Sequence, residues 1–215
     1  MIRFSQQEGK VAAVVVANAP FRFWPEAYQW VRKAPLLVAA DGGANHLARV
    51  GVCPHFVVGD LDSLDPQVRG WVGEERIVPR PDQDHTDLEK TLAFVREQGA
   101  TSALVLAATG GRLDHALENL AILGRLVPSF PCEIREQQTR IVPVSGEASF
   151  EVPPDATVSL MPLGSCERVW TEGLFWPLAG EPLSLATRTG LSNRATSELV
   201  RVRVEGGVLL VFLPC

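Results

Sequence analysis

Four short apolar runs, each followed by a helical pattern, constrain this chain more than any other feature. Residues 11–17, 36–40, 56–58 and 103–107 carry almost no polar side chain. Strands of that kind are buried on both faces, as in a parallel sheet. Helical spacing follows at 25–33, 44–50, 66–72, 86–98 and 113–127. Thr86 with Glu89 three residues on forms a capping box, and Gly99 stands where a helix C-terminus wants glycine. Alternation of this sort predicts a doubly wound α/β domain with a mostly parallel sheet.

After about residue 145 the texture changes. Pro153-Pro154, Pro162, Gly164, Pro177, Gly180, Pro182, Gly190 and Gly206-Gly207 punctuate short runs at 157–160, 200–204 and 208–213, and no helix-length period survives. That pattern predicts a small antiparallel β-sandwich or roll. The expected division is 1–144 for the α/β part and 145–215 for the β part.

Charge and cysteine usage narrow the function. A net charge of −5 leaves no basic stripe for a nucleic acid. Residues 1–10 are too polar for a signal peptide, and no apolar stretch is long enough to span a membrane. Cys53, Cys132, Cys166 and Cys215 are scattered without metal-ligand spacing, so reduced thiols in a cytoplasmic protein are expected.

The aspartates fall at strand ends. Asp41 closes one apolar run and precedes Gly42-Gly43-Ala44-Asn45. Asp60 closes the next, with Asp62 two residues on, and Asp82, Asp84 and Asp87 surround the start of the fourth helix. In an open α/β sheet, ligands bind beyond the carboxyl ends of the strands. Carboxylates gathered there repel one another unless a cation intervenes, and Mg²⁺ carrying a nucleoside triphosphate fits. Taken singly, each aspartate also suits a helix cap or turn, and Asp65 before Pro66 reads as a cap only. Asp60 and Asp62 together are poor turn chemistry. Gly110-Gly111-Arg112, between a strand and a helix, suits a phosphate, since glycines let backbone N–H groups approach an anion and the arginine adds charge. Trp176 sits in a Pro- and Gly-rich segment and reads as core or as a ligand platform. Of the four histidines only His85 lies in an acidic, site-like loop.

Six stretches in order resemble the motifs of the thiamine pyrophosphokinase family. They are Asp41-Gly42-Gly43-Ala44-Asn45, Gly59-Asp60-Leu61-Asp62-Ser63, and Pro81 through Asp87 with Lys90 following. Gly110-Gly111-Arg112-Leu113-Asp114-His115, Gly173-Leu174-Phe175-Trp176 and Leu191-Ser192-Asn193 complete the set. Leu61 stands where the family commonly has an aromatic, and Phe175 where a basic residue is frequent.

The resemblance implies a catalytic α/β domain followed by a thiamine-binding and dimerising β-sandwich, in a homodimer with active sites shared between subunits. It implies Mg²⁺-dependent transfer of the terminal diphosphate of ATP to the thiamine hydroxyl, releasing AMP. Asp60, Asp62 and Asp87 become the catalytic metal ligands. Asp41, Gly42, Asn45, Gly110, Gly111, Arg112 and Asp114 go to the nucleotide, and Gln83, Asp84, Thr86, Trp176, Ser192 and Asn193 to the substrate. Three rivals stand beside this reading: a phosphatase of the haloacid-dehalogenase type using Asp60 as nucleophile, a non-catalytic nucleotide or thiamine sensor, and a pyrophosphokinase acting on another alcohol such as a pterin.

Overall fold

Strands with no polar side chain have to be central, and the sheet is assembled around them. The computed structural model describes residues 11–127 and 129–215; the polar start at residues 1–10 lies outside them. Contacts divide the chain into two units, one running to Asn119 and one from Leu120 to Cys215.

The first unit alternates strand and helix: β1 (Val11–Val16), α1 (Pro25–Lys33), β2 (Leu36–Ala40), α2 (Gly43–Arg49), β3 (Phe56–Gly59), α3 (Pro66–Val72), β4 (Ile77–Pro79), α4 (Asp87–Glu97) and β5 (Ala100–Leu106). The helix α5 (Leu113–Leu126) follows. The strand order is β5-β1-β2-β3-β4, every pair parallel. All five residues of β2 are buried, as a strand covered on both faces must be. From β1 the chain steps outward through β2, β3 and β4, then returns to β1's other side as β5. The order therefore reverses at β1, and that is where ligands are expected.

Local signals set the helix ends. Asp65 caps α3 by accepting the Gln67 N–H at 2.7 Å, and the Thr86 hydroxyl accepts the Glu89 N–H at the start of α4. Helix α2 lies so close to β1 that a Cβ on Gly43 would stand 2.0 Å from the Val16 carbonyl oxygen. Strand β4 was not foreseen; three residues are too few to show a period.

The second unit is antiparallel: β6 (Cys132–Arg135), β7 (Thr139–Glu151), β8 (Thr157–Pro162), β9 (Ser165–Glu172), β10 (Ala179–Ser184), β11 (Gly190–Arg194) and β12 (Leu199–Pro214). The long β12 alternates buried Val200, Val202 and Val204 with outward Leu199, Arg201 and Arg203. Its first half pairs with β9 and its second half with β8, while β7 runs along its other edge. The change of partner follows the register shift between Val204 and Leu209, which contains Gly206 and Gly207. A Cβ on Gly207 would meet the Ser165 carbonyl oxygen at 2.3 Å, so the bulge needs glycine. The core of this unit is Val- and Leu-rich, including Val158, Leu160, Val169, Leu183, Leu209 and Val211. Among the described residues no helix is long and apolar enough to cross a membrane.

Candidate active site

At the carboxyl ends of the parallel strands, residues from both sides of β1 surround a cavity of about 640 Å³. Asn18, Ala19 and Pro20 come from the end of β1, Asp41 from β2, and Asp60, Asp62 and Ser63 from β3. Gln83, His85, Thr86, Asp87 and Lys90 surround the start of α4. Gly110, Gly111, Arg112, His115 and Asn119 complete the wall beyond β5.

Three carboxylates meet here. One oxygen each from Asp41, Asp60 and Asp87 lies within 4.8 Å of the others. At that separation each ionised pair repels by roughly 3 kcal/mol at a typical effective dielectric. Among the described residues the cation in direct contact is the buried Lys90, whose Nζ is 3.3 Å from Asp87 Oδ1. Three ionised carboxylates against one ammonium leave two negative charges, the charge of one divalent cation. The backbone is shaped to allow this convergence. A Cβ on Gly59 would stand 2.9 Å from Asp41 Cβ and 3.0 Å from Asp87 Oδ1. Asp41 and Leu61 both take positive φ, 44° and 71°, which turns the chain sharply after each strand.

Asp41 is 2% exposed. Its Oδ2 accepts the Ser63 N–H at 3.0 Å, while its Oδ1 is buried without a partner among the described residues. Burial lifts its carboxyl to about 6; the Ser63 hydrogen bond opposes that, and Asp87 and Asp62 add to the rise. Asp60 goes the other way. Burial pulls it up, but the Asp62 N–H, the Gln83 amide and the Lys90 charge outweigh that and hold it below the usual carboxylate range. A buried orphan oxygen beside two further carboxylates is the donor set a hard cation takes, and it fits Mg²⁺.

Beyond β5, Gly110 and Gly111 both take left-handed φ, 90° and 62°. Arg112 is exposed and forks onto Asp114, 3.2 Å from Nε and 2.5 Å from Nη2, which holds the Asp114 carboxyl near 2. His85 Nδ1 is 2.5 Å from Asp82 Oδ2, and that contact holds the exposed imidazole above its ordinary pKa.

The expected residues thus fall into groups. Asp41, Asp60, Asp62, Asp87, Gln83, Thr86, Gly110, Gly111 and Arg112 line the cavity; Gly42, Asn45, Asp84 and Asp114 lie outside the lining. The converging trio contains Asp41 rather than Asp62, whose Oδ1 accepts the Ser63 hydroxyl at 2.9 Å. Gly42 is glycine because the Asn18 amide lies over it, 2.3 Å from where a Cβ would be. Asn18 and Asn119 were missed, and Ser63, Lys90 and His115 stood in the motifs without a role. Asn18 carried a usable signal, being the first polar residue after the apolar run of β1.

In the second unit Trp176 is 61% exposed and packs edge-on against Phe175, with centroids 4.8 Å apart. The buried Asn193 carboxamide accepts the Trp176 N–H at 3.1 Å and donates to its carbonyl at 2.7 Å. Asn193 therefore holds the tryptophan's backbone. Ser192 takes φ 56° and donates its N–H to the Ser159 hydroxyl.

Comparison with known proteins decides the family. The model of the thiamin pyrophosphokinase catalytic domain matches residues 27–134, and that of the thiamin pyrophosphokinase vitamin B1 binding domain matches 147–209. Thiamine pyrophosphokinase 1 of rice (Oryza sativa subsp. japonica) is 31% identical, over 92% of this chain and 85% of its own length. The chain belongs to the thiamine pyrophosphokinase family. Thiamin pyrophosphokinase 1 of Caenorhabditis elegans is 26% identical over 82% of this chain and 78% of its own. The solved thiamine pyrophosphokinase of Bacillus subtilis superposes with a TM-score of 0.82 at 22% identity, covering 94% of this chain and 98% of that one. That of Candida albicans gives 0.84 at 17%, covering 95% and 89%. At such identities the structures speak for the fold alone, and they bear out the two-part α/β and β arrangement. Members of the family transfer pyrophosphate from ATP to thiamine.

The raised Asp41 carboxyl has a stability consequence. A folded-state pKa above the ordinary 3.8 favours folding fully below that value, and the contribution is lost as pH rises through about 6. At pH 7.5 in EDTA the ionised Asp41 therefore costs about 1–3 kcal/mol. Asp41→Asn is expected to be more stable than the parent by that amount at pH 7.5, with the gap closing towards pH 4. Urea unfolding at the two pH values measures it; equal gaps would mean that Asp41 is not strained.

Proposed function

We propose that this chain transfers the terminal diphosphate of ATP to the hydroxyl of thiamine, releasing AMP, with Mg²⁺ held by Asp60, Asp62 and Asp87 and with Asp41 joining the set. The observation that carries the metal assignment is the orphaned Asp41 oxygen beside the carboxylates of Asp60 and Asp87. The thiamine oxygen forms a bond to the β-phosphorus of ATP, the bond from that phosphorus to the oxygen bridging to the α-phosphate breaks, and AMP leaves with the bridging oxygen. The hydroxyl proton passes to Asp62 or Asp87. Bound Mg²⁺ would supply charge neutralisation for the phosphates. Gly110, Gly111 and Arg112 orient the phosphates, Lys90 pairs with Asp87, and Gln83 and Thr86 border the acceptor side. In this reading the functional division falls at 144/145, a position that the two family matches flank. Four free cysteines and an acidic balance support a cytoplasmic enzyme whose partners are small molecules rather than nucleic acids or membranes.

Product analysis with ATP, Mg²⁺ and thiamine tests this directly. Thiamine diphosphate and AMP are expected in equal amounts; ADP would indicate an ordinary kinase, phosphate alone a phosphatase, and AMP made only with a pterin alcohol another acceptor. Asp60→Asn and Asp87→Asn should each lower turnover by about a hundredfold or more, since a metal ligand supports several kcal/mol of transition-state stabilisation.

The same reading includes a homodimer in which Trp176 of one subunit serves the carboxylates of the other. It is supported by the exposure of Trp176 and Phe175 on the β unit. Refolding Asp60→Asn and Trp176→Ala subunits together is expected to restore about a quarter of parental activity, because half the dimers are hybrids with one intact site. Activity no higher than that of the separate mutants would rule out shared sites.

A further inference from the structure

We infer that Asn45 is a positioning residue for the carboxylate loop, not a nucleotide contact; this rests on the reading of the cluster as a metal site. Asn45 lies outside the cavity lining, on α2, and reaches across to the loop between β3 and α3. Its Nδ2 donates to the Ser63 carbonyl at 2.9 Å, and its Oδ1 accepts the Asp65 N–H at 3.1 Å. One side chain thus satisfies a backbone acceptor and a backbone donor two residues apart. A carboxamide of this length does both, whereas a carboxylate has no proton to give.

The bonded loop carries Asp60 and Asp62. Between them Leu61 takes φ 71°, a conformation that persists only where the surroundings over-determine it. On its N-terminal side the Asp60 N–H bonds to Asp87 Oδ1 and Asp60 Oδ2 accepts the Gln83 amide. The Ser63 N–H bonds to Asp41 Oδ2, Asn45 holds the Ser63 carbonyl and the Asp65 N–H, and Asp65 in turn caps α3. The Asn45 amide ties the loop to α2, and α2 is seated on β1 at Gly43 with no room for a side chain. Without that tie the cavity side keeps the Ser63 bond to Asp41, the Asp60 N–H bond to Asp87 and the Gln83 bond to Asp60. The Ser63 carbonyl and the Asp65 N–H lose their anchor to α2, however, and the loop can shift Asp60 away from its two like charges. Asn45 therefore preserves the geometry in which a cation finds three oxygens already in place.

Mn²⁺ binding, followed by electron paramagnetic resonance without nucleotide, tests this independently of turnover. Asn45→Ala should bind Mn²⁺ about ten- to a hundredfold more weakly than the parent, the usual effect of removing a residue that orients a metal ligand. Asn45→Asp should weaken it as well, although the added negative charge alone would tighten it. ADP binding in EDTA should be unchanged in both, and saturating Mg²⁺ should return kcat to within a few-fold of the parent. Undiminished Mn²⁺ binding in Asn45→Ala, tighter binding in Asn45→Asp, or a parallel loss of ADP affinity in EDTA would each overturn the inference. Failure of the parent itself to bind Mn²⁺ would remove the metal site and this inference with it, a result distinct from any difference between variants. If Asn45→Ala melts below the assay temperature, Asn45→Ser replaces it with the same expectations.

Discussion

Mutual repulsion among Asp41, Asp60 and Asp87 is the constraint around which the α/β unit is built. Three carboxylates within 4.8 Å, one of them buried with an unpartnered oxygen, form an arrangement that folding alone would disfavour. Neighbouring features compensate. Gly59 leaves the space in which the side chains meet, Lys90 contributes a buried ammonium, and the Ser63 N–H and the Asn45 amide hold the loop in register. The parallel sheet supplies the rigid base, since its fully buried strands fix where β2 and β3 end. In the proposed reading such a site gives up stability in the metal-free state for a preformed cation cradle.

The β unit follows different physics. Among its described residues no carboxylate cluster organises it; a Val- and Leu-rich core does, with one long strand bent at Gly206 and Gly207 so that its halves serve different partners. On this scaffold Trp176 is exposed while its backbone is clamped at both polar groups by the buried Asn193. An aromatic ring on a fixed backbone loses little freedom on binding, which suits a ligand platform. Asn193 holds that residue's backbone from beneath.

Much of this was legible in the sequence because its causes are local. The caps at Asp65 and Thr86 involve residues two or three apart, and both are present. The four apolar runs became β1, β2, β3 and β5 with ends shifted by at most three residues. What escaped was non-local or short. Strand β4 has three residues. Strands β6 and β7 begin in a segment whose charges disguise it, because Glu133 is fully buried and is neutralised by Arg135 at 2.8 Å and Arg140 at 2.9 Å. Spacing along the chain cannot reveal such a pair. In the site, the acidic motifs meet at one cavity, yet which carboxylates converge depends on where β2 and β3 end relative to α4. Asn45 and Asn193 carried motif positions, but their work on backbone groups 17 to 20 residues away shows only in three dimensions.

The central claim is that the converging carboxylates are a cation site, and diffraction at the manganese absorption edge tests it most directly. Crystals grown with Mn²⁺ and ADP should show one strong anomalous peak at about 2.0–2.3 Å from carboxylate oxygens of Asp60 and Asp87, with the free oxygen of Asp41 turned towards it. A peak bound only to phosphate oxygens, or lying at Asp82 and Asp84 with the trio unoccupied, would contradict the account.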